Sequence, residues 1–153
     1  MLQPTETDKA YIAGIIDGEG CIGLNEHRRL GARCHTPSVV ASVQVVMTDA
    51  EAVNFIAERY KGRVRHSAGR DITRKAYFTF NASDRREVEV LVKDIYPYLK
   101  IKVRQADVLL DYLTSPKLRG GRGHDVSDEV MFLRRVLVAD MHALNQRGGV
   151  TLS

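Results

Sequence analysis

Apolar and polar positions change their period several times along the chain, and each change marks an element. Thr5–Asp17 offers hydroxyls at Thr5 and Thr7 as N-caps, carries Glu6 and Asp8 in its first turn and runs on rich in apolar residues, which predicts a first helix. It ends at Asp17-Gly-Glu-Gly20, where two glycines allow a sharp change of direction. Cys21–His27 reads as a strand, 27–37 as a long basic connection, and Ser38–Met47, rich in Val with partial alternation, as a second strand. Thr48-Asp-Ala-Glu51 has capping-box spacing with Thr48 as N-cap and predicts a helix to about Tyr60, closed by Lys61-Gly62. Arg63–Ser67 and Thr73–Asn81 make a predicted hairpin, with Ala76, Phe78 and Phe80 towards the core and Lys75, Tyr77 and Thr79 on the other face. Ser83 or Asp84 caps a helix to about Ile95, and Pro97 punctuates. Val103–Leu113 is a further helix, Ser115–Asp125 a loop, Val126–Asn145 the last helix and Gln146–Ser153 a polar tail. The order is αββαββ followed by helices. No linker divides it, so 1–153 reads as one domain with a core over about 4–145.

Composition narrows the classes. The 153 residues are 44% apolar and 27% charged, which excludes wholesale disorder. No apolar run approaches the ~20 residues of a membrane span, and the N-terminus has no signal-peptide pattern. With only Cys21 and Cys34 there is no disulfide framework, so an intracellular protein is expected. The net charge of +4 is mild but clustered. Basic residues gather at Arg28, Arg29 and Arg33, from Lys61 to Lys75, around Lys100–Arg104 and at Lys117–Arg122. That clustering raises nucleic acid above a merely solvated surface.

The segment Tyr11–Gly20, YIAGIIDGEG, carries the candidate chemistry. Its Gly18, Gly20 and Gly23 satisfy a dinucleotide-binding spacing, but that fingerprint needs a strand before the glycines and a helix after. Here the order is reversed. Ala10, Gly14 and Gly18 recur every fourth residue, leaving one helix face almost bare, and such a stripe lets another helix approach closely. Taken alone, the same stripe could equally pack against the protein's own core. Glu19, flanked by glycines at the helix end, cannot retreat into a core. If two such helices packed together, two Glu19 carboxylates would lie close beside backbone carbonyls, an arrangement that needs a bridging cation. Hard oxygen ligands suit Mg²⁺. Asp17 reads instead as structural, taking nearby backbone donors. Cys21, His27, Cys34 and His35 match no common zinc spacing.

The stretch Ile12–Gly20, IAGIIDGEG, resembles the LAGLIDADG motif of homing endonucleases, and Tyr98–Ala106, YLKIKVRQA, resembles a tract of the single-motif members. With the order of elements, the resemblance covers about 4–145. It implies an α+β fold, an αββαββα core whose four-stranded mixed or antiparallel sheet binds DNA and packs on helices. It also implies a homodimer whose motif helices meet at a two-fold axis, with Ala10, Ala13, Gly14 and Gly18 at the interface. The implied activity is a metal-dependent double-strand cut in a long pseudo-palindromic target, by intron-type homing. The family's metal ligands fall on Glu19 and the Gly18 carbonyl, and its active-site lysine on Lys100. Mg²⁺ or Mn²⁺ is the implied cofactor, with Ca²⁺ binding without supporting cleavage.

On the sheet, the face opposite the core is expected to contact DNA through Asn25, His27, Ser38, Val40, Ser42, Gln44, Arg65, Ser67, Lys75, Tyr77 and Thr79. Arg65 is the choice for a guanine and Gln44 for an adenine. Arg28, Arg29, Arg33 and Arg147 are expected to hold phosphates. Two positions depart from the family pattern. Met47 stands where a polar residue, often Gln, ends the second strand, and Glu51 where a basic residue is common. An RNA-splicing maturase and a non-cleaving DNA-binding regulator are the competing readings; retention of Glu19 argues against the regulator. Gly, Ala, Arg and Pro outnumber the residues of AT-rich codons, which leans towards a bacterial, archaeal or phage source.

Overall fold

The computed structural model describes residues 1–28, 37–69, 75–119 and 125–147. The elements follow in the order α1 (Glu6–Glu19), β1 (Gly20–His27), β2 (Ser38–Met47), α2 (Ala50–Ala57), β3 (Arg63–Ser67), β4 (Tyr77–Ala82), α3 (Arg85–Ile95), α4 (Val103–Thr114) and α5 (Asp128–Arg147). Short 3₁₀ turns occupy Tyr96–Tyr98 and Pro116–Leu118, the second inside the stretch expected to be loop. The four strands form one sheet in the order β1-β2-β4-β3, every pair antiparallel. Among the described residues no helix is long and apolar enough to cross a membrane.

α1 starts where the sequence predicts. The Thr5 hydroxyl accepts from the Asp8 N–H (3.1 Å) and the Asp8 carboxylate from the Thr5 N–H (3.0 Å), a reciprocal cap. Asp8 also takes the Arg59 guanidinium at 2.9 Å, and this ion pair holds its carboxyl below the usual range. Arg59 in turn covers the Phe55 ring, against whose edge Tyr11 packs. The first turn of α1 is thereby tied to α2.

α1 buries Ile12, Ala13 and Ile16 completely, against α3 and β2. Each isoleucine contributes ~1.5–3 kcal/mol of burial. The core side of the sheet adds Ile22 and Leu24 from β1, Ala41, Val43 and Val45 from β2, and Phe80 and Ala82 from β4. Helix α3 closes this layer with Val88, Leu91, Val92 and Ile95, and α4 with Ala106, Leu109 and Leu113. The Tyr60 hydroxyl donates to Asp94 (2.8 Å), and burial raises its pKa. Val90 is exposed, because the three-residue step from Val88 to Leu91 sets the buried face.

Two local expectations fail. Ala76 does not face the core: β4 begins only at Tyr77, so Ala76 is outside the ladder and exposed. The cap of α2 is Asp49, whose carboxylate accepts from the Glu51 N–H at 2.8 Å, and Thr48 lies outside the helix. The last helix is also displaced, running from Asp128 to Arg147 and so taking two residues assigned to the tail.

Candidate nucleic-acid interface and cleavage site

Residues facing one another across an antiparallel pair share a face, so the register reads out the surface of the sheet. His27 faces Ser38, Asn25 faces Val40, and Gly23 faces Ser42. One row runs the full width of the sheet, Cys21–Gln44–Asn81–Arg63, and the next holds Val46, Thr79 and Arg65. Ser67 faces Tyr77. All are opposite in parity to the buried Ile22, Val43 and Phe80. The face predicted from the sequence is therefore the face observed, including on β2. It contains five further residues that the sequence reading left out: Cys21, Gly23, Val46, Arg63 and Asn81.

Gln44, Arg63, Arg65, Thr79 and Asn81 line a shallow depression on this surface, with Lys61 and Arg86 at its rim. At the opposite edge, α5 packs along β1. Its His142 Nε2 lies 3.0 Å from the Asn25 Oδ1, its Asn145 amide donates to the Ile22 carbonyl at 3.1 Å, and its Arg135 pairs with Glu26. That helix covers the unpaired edge of β1. Asn25 and His27 remain exposed, and the Ser38 hydroxyl donates to the His27 carbonyl (3.3 Å). Arg28 is exposed beyond β1, and Lys75 is exposed just before β4. Arg29 and Arg33 lie outside the described residues, as does the side chain of Arg147, the last residue of α5.

The C-terminal end of α1 meets this surface at one end of the sheet. Its two carboxylates differ completely. Asp17 accepts from the Lys100 N–H (2.7 Å) and the Lys102 N–H (2.9 Å), donors 83 and 85 residues away. It is structural, as its position implied, but its donors are remote rather than at the turn. Glu19 is exposed, has no hydrogen-bond or ion-pair partner among the described residues, and lines a depression with Val46, Met47, Thr48 and Tyr77.

Of the two lysines in the YLKIKVRQA tract, the structure brings the ammonium of Lys102 to the helix end. Its Nζ donates to the carbonyls of Ile16 (2.9 Å) and Asp17 (2.7 Å), a cation at the negative pole of α1. Lys100 contributes its backbone to the same junction while its side chain stays exposed. Lys102 went unrecognised in the sequence because nothing local separates the two lysines.

Along α1, Ala10, Gly14 and Gly18 are exposed, and a Cβ built on either glycine would meet nothing within 4 Å. This stripe does not pack on the protein's own core. Ala13 departs from the expected interface: it has no accessible surface, because it lies on the side of α1 that faces the core with Ile12 and Ile16. Among the described residues no three His, Cys, Asp or Glu side chains gather as a metal site; Cys34 and His35 lie outside those residues.

No protein-family model and no curated protein matches the sequence. Solved structures do match the fold. The archaeal intron-encoded homing endonuclease I-Vdi141I, complexed with DNA, superposes with a TM-score of 0.70 at 13% identity, over 91% of this chain and 84% of that one. The homing endonuclease I-CvuI, in complex with its target in the presence of Ca, gives 0.67 at 18% identity, over 91% and 82%. The LAGLIDADG homing endonuclease I-GzeII, in complex with a DNA target, gives 0.58 at 13% identity, over 88% of this chain but 43% of that one. The chain has the LAGLIDADG homing-endonuclease fold. Within the LAGLIDADG fold, the motif segment Ile12–Gly20 forms the end of α1 and the turn into β1, and the YLKIKVRQA tract clasps that end through Lys100 and Lys102, just before α4.

Proposed function

We propose that this protein is a site-specific DNA endonuclease of the homing type. Two copies would pack through Ala10, Gly14 and Gly18 and make a divalent-metal-dependent double-strand cut. The observation that carries the reading is Glu19, an exposed and unpaired carboxylate at the end of a bare helix stripe, on a chain with the LAGLIDADG fold. The match spans less than half of I-GzeII, which is compatible with a chain that supplies one half of a composite site.

The donor set fits a hard cation only when doubled. One protomer offers a single carboxylate and the Gly18 carbonyl, which accepts from no described residue, whereas two copies offer two of each. When bound, Mg²⁺ or Mn²⁺ would acidify a water and screen charge on the phosphate. The residues of the chain do the rest. Glu19 and Gly18 hold the cation, Asp17 and Lys102 fix the helix end that carries them, and the exposed Lys100 ammonium stabilises charge on the scissile phosphate. In the cut, a water oxygen bonds to phosphorus, the bond to the leaving sugar oxygen breaks, that oxygen takes a proton, and the water gives one up.

Two sheets related by a two-fold axis would read a pseudo-palindrome. Gln44 and Arg65 present amide and guanidinium groups suited to adenine and guanine edges, with Asn25, His27, Ser38, Val40, Ser42, Ser67 and Thr79 completing the surface. Arg28, Arg29, Arg33 and Arg147 are assigned to phosphates. Incubation with a randomised duplex library tests the reading. Mg²⁺ should release double-strand ends at two-fold-related sequences and EDTA should release none. Binding without any cut in Mg²⁺ or Mn²⁺ would favour the regulator.

A further inference from the structure

The depression at Glu19 runs into a second one, lined by Val46, Thr48, Ser67, Gly69, Lys75 and Tyr77. The two share Val46, Thr48 and Tyr77. A carboxylate therefore lines one of two adjoining depressions and an ammonium the other, with the hydroxyl-bearing Thr48 and Tyr77 common to both. Lys75, Thr48 and Tyr77 are exposed and take no partner among the described residues. The surface beneath them is apolar at Val46, while the Met47 side chain beside it packs towards the core.

That surface poses a chemical problem. Neither Val46 nor Met47 can hold a water by a strong hydrogen bond or meet a phosphate. A phosphodiester lying against Glu19 and its cation needs donors on its other side. Thr48 is free to supply one because Asp49 caps α2 in its place. Tyr77 supplies a second donor and Lys75 a cation. These two depressions are also separate from the one formed by Gln44, Arg63, Arg65 and Asn81. Ser67 and Tyr77 form the last row of the sheet at the Glu19 end, whereas Gln44 and Asn81 sit further along it.

We infer that Lys75, Tyr77 and Thr48 form the phosphate-holding side of the cleavage site, facing Glu19, and do not read bases. The inference rests on the nuclease reading above. In it, the Lys75 ammonium pairs with a non-bridging oxygen of the scissile phosphate, and the Tyr77 and Thr48 hydroxyls donate to that phosphate or to the water beside it.

Single-turnover cleavage of a duplex selected from the Mg²⁺ library tests this, with affinity for the same duplex measured in Ca²⁺. Lys75→Met should slow the saturated cleavage rate about 100-fold, the lower end of the range for loss of one preorganised donor, and Tyr77→Phe less, about 10-fold. Affinity should change less than about threefold and base preference not at all, and Lys75→Arg should recover part of the rate. Unchanged melting temperatures would separate these effects from misfolding. A loss of affinity at unchanged saturated rate, or a relaxed preference at one base pair, would make these residues DNA-docking or base-reading groups and overturn the inference. If wild type cuts while Lys75→Met and Tyr77→Phe cut equally fast, this inference alone fails. If wild type cuts nothing, the nuclease reading fails and takes the inference with it.

Discussion

Asp17 and Glu19 lie two residues apart at the same helix end, and they illustrate how one motif divides its labour. Asp17 is saturated: two backbone N–H groups from the segment just before α4 occupy both its oxygens. The Lys102 ammonium then binds the carbonyls beside it. Glu19 is left with nothing but solvent and the depression in front of it. A carboxylate that is fully paired with its own fold contributes stability, and one that is unpaired at a fixed position is available to a ligand. The fixed position is the product of the first carboxylate.

The largest effect should come from separating the two roles. Glu19→Gln should reduce Mg²⁺-dependent cleavage by at least about 1,000-fold, a loss of the metal's contribution. Its melting temperature should stay close to wild type, since no intramolecular partner is lost. Asp17→Ala should do the reverse in order of cause, costing about 2–3 kcal/mol of stability by stranding two backbone donors. Chemical denaturation and cleavage assays on the two variants check both halves. Equal destabilisation by the two changes would erase the distinction.

The same contrast divides the sheet surface, with smaller consequences. Arg65→Ala should cost about 1–3 kcal/mol of binding and relax preference at one base pair per half-site. A cleavage-specificity profile in which every target falls uniformly would make Arg65 a phosphate contact instead.

Much of this was legible because period-two patterning is local. Phe78 and Phe80 set the parity of β4, the register carries that parity across to Gln44 and Arg65, and Thr5 with Asp8 announces the start of α1. Other features depend on partners far along the chain. Asp17 draws on residues 83 and 85 positions away, and no local pattern shows which of Lys100 and Lys102 turns its ammonium towards α1. Lys102 immediately precedes the first residue of α4, and its direction follows from how that helix docks. Thr48 and Asp49 both satisfy cap chemistry, so the choice between them was a matter of geometry rather than type. The exposure of Ala10, Gly14 and Gly18 likewise emerges only once Ile12, Ala13 and Ile16 have chosen the buried face.

That bare stripe gives the most direct test of the central claim, that the cleavage centre is completed by a second copy. Because a Cβ at Gly14 meets nothing within 4 Å, Gly14→Leu fits the single protomer, and exchanging glycine inside a helix should if anything stabilise it by up to about 1 kcal/mol. Sedimentation with cleavage of the library-selected duplex should find wild type a dimer that cuts both strands, and Gly14→Leu a folded monomer that cuts neither. A wild-type monomer that cuts both strands, or a monomeric Gly14→Leu with full activity, would contradict the account.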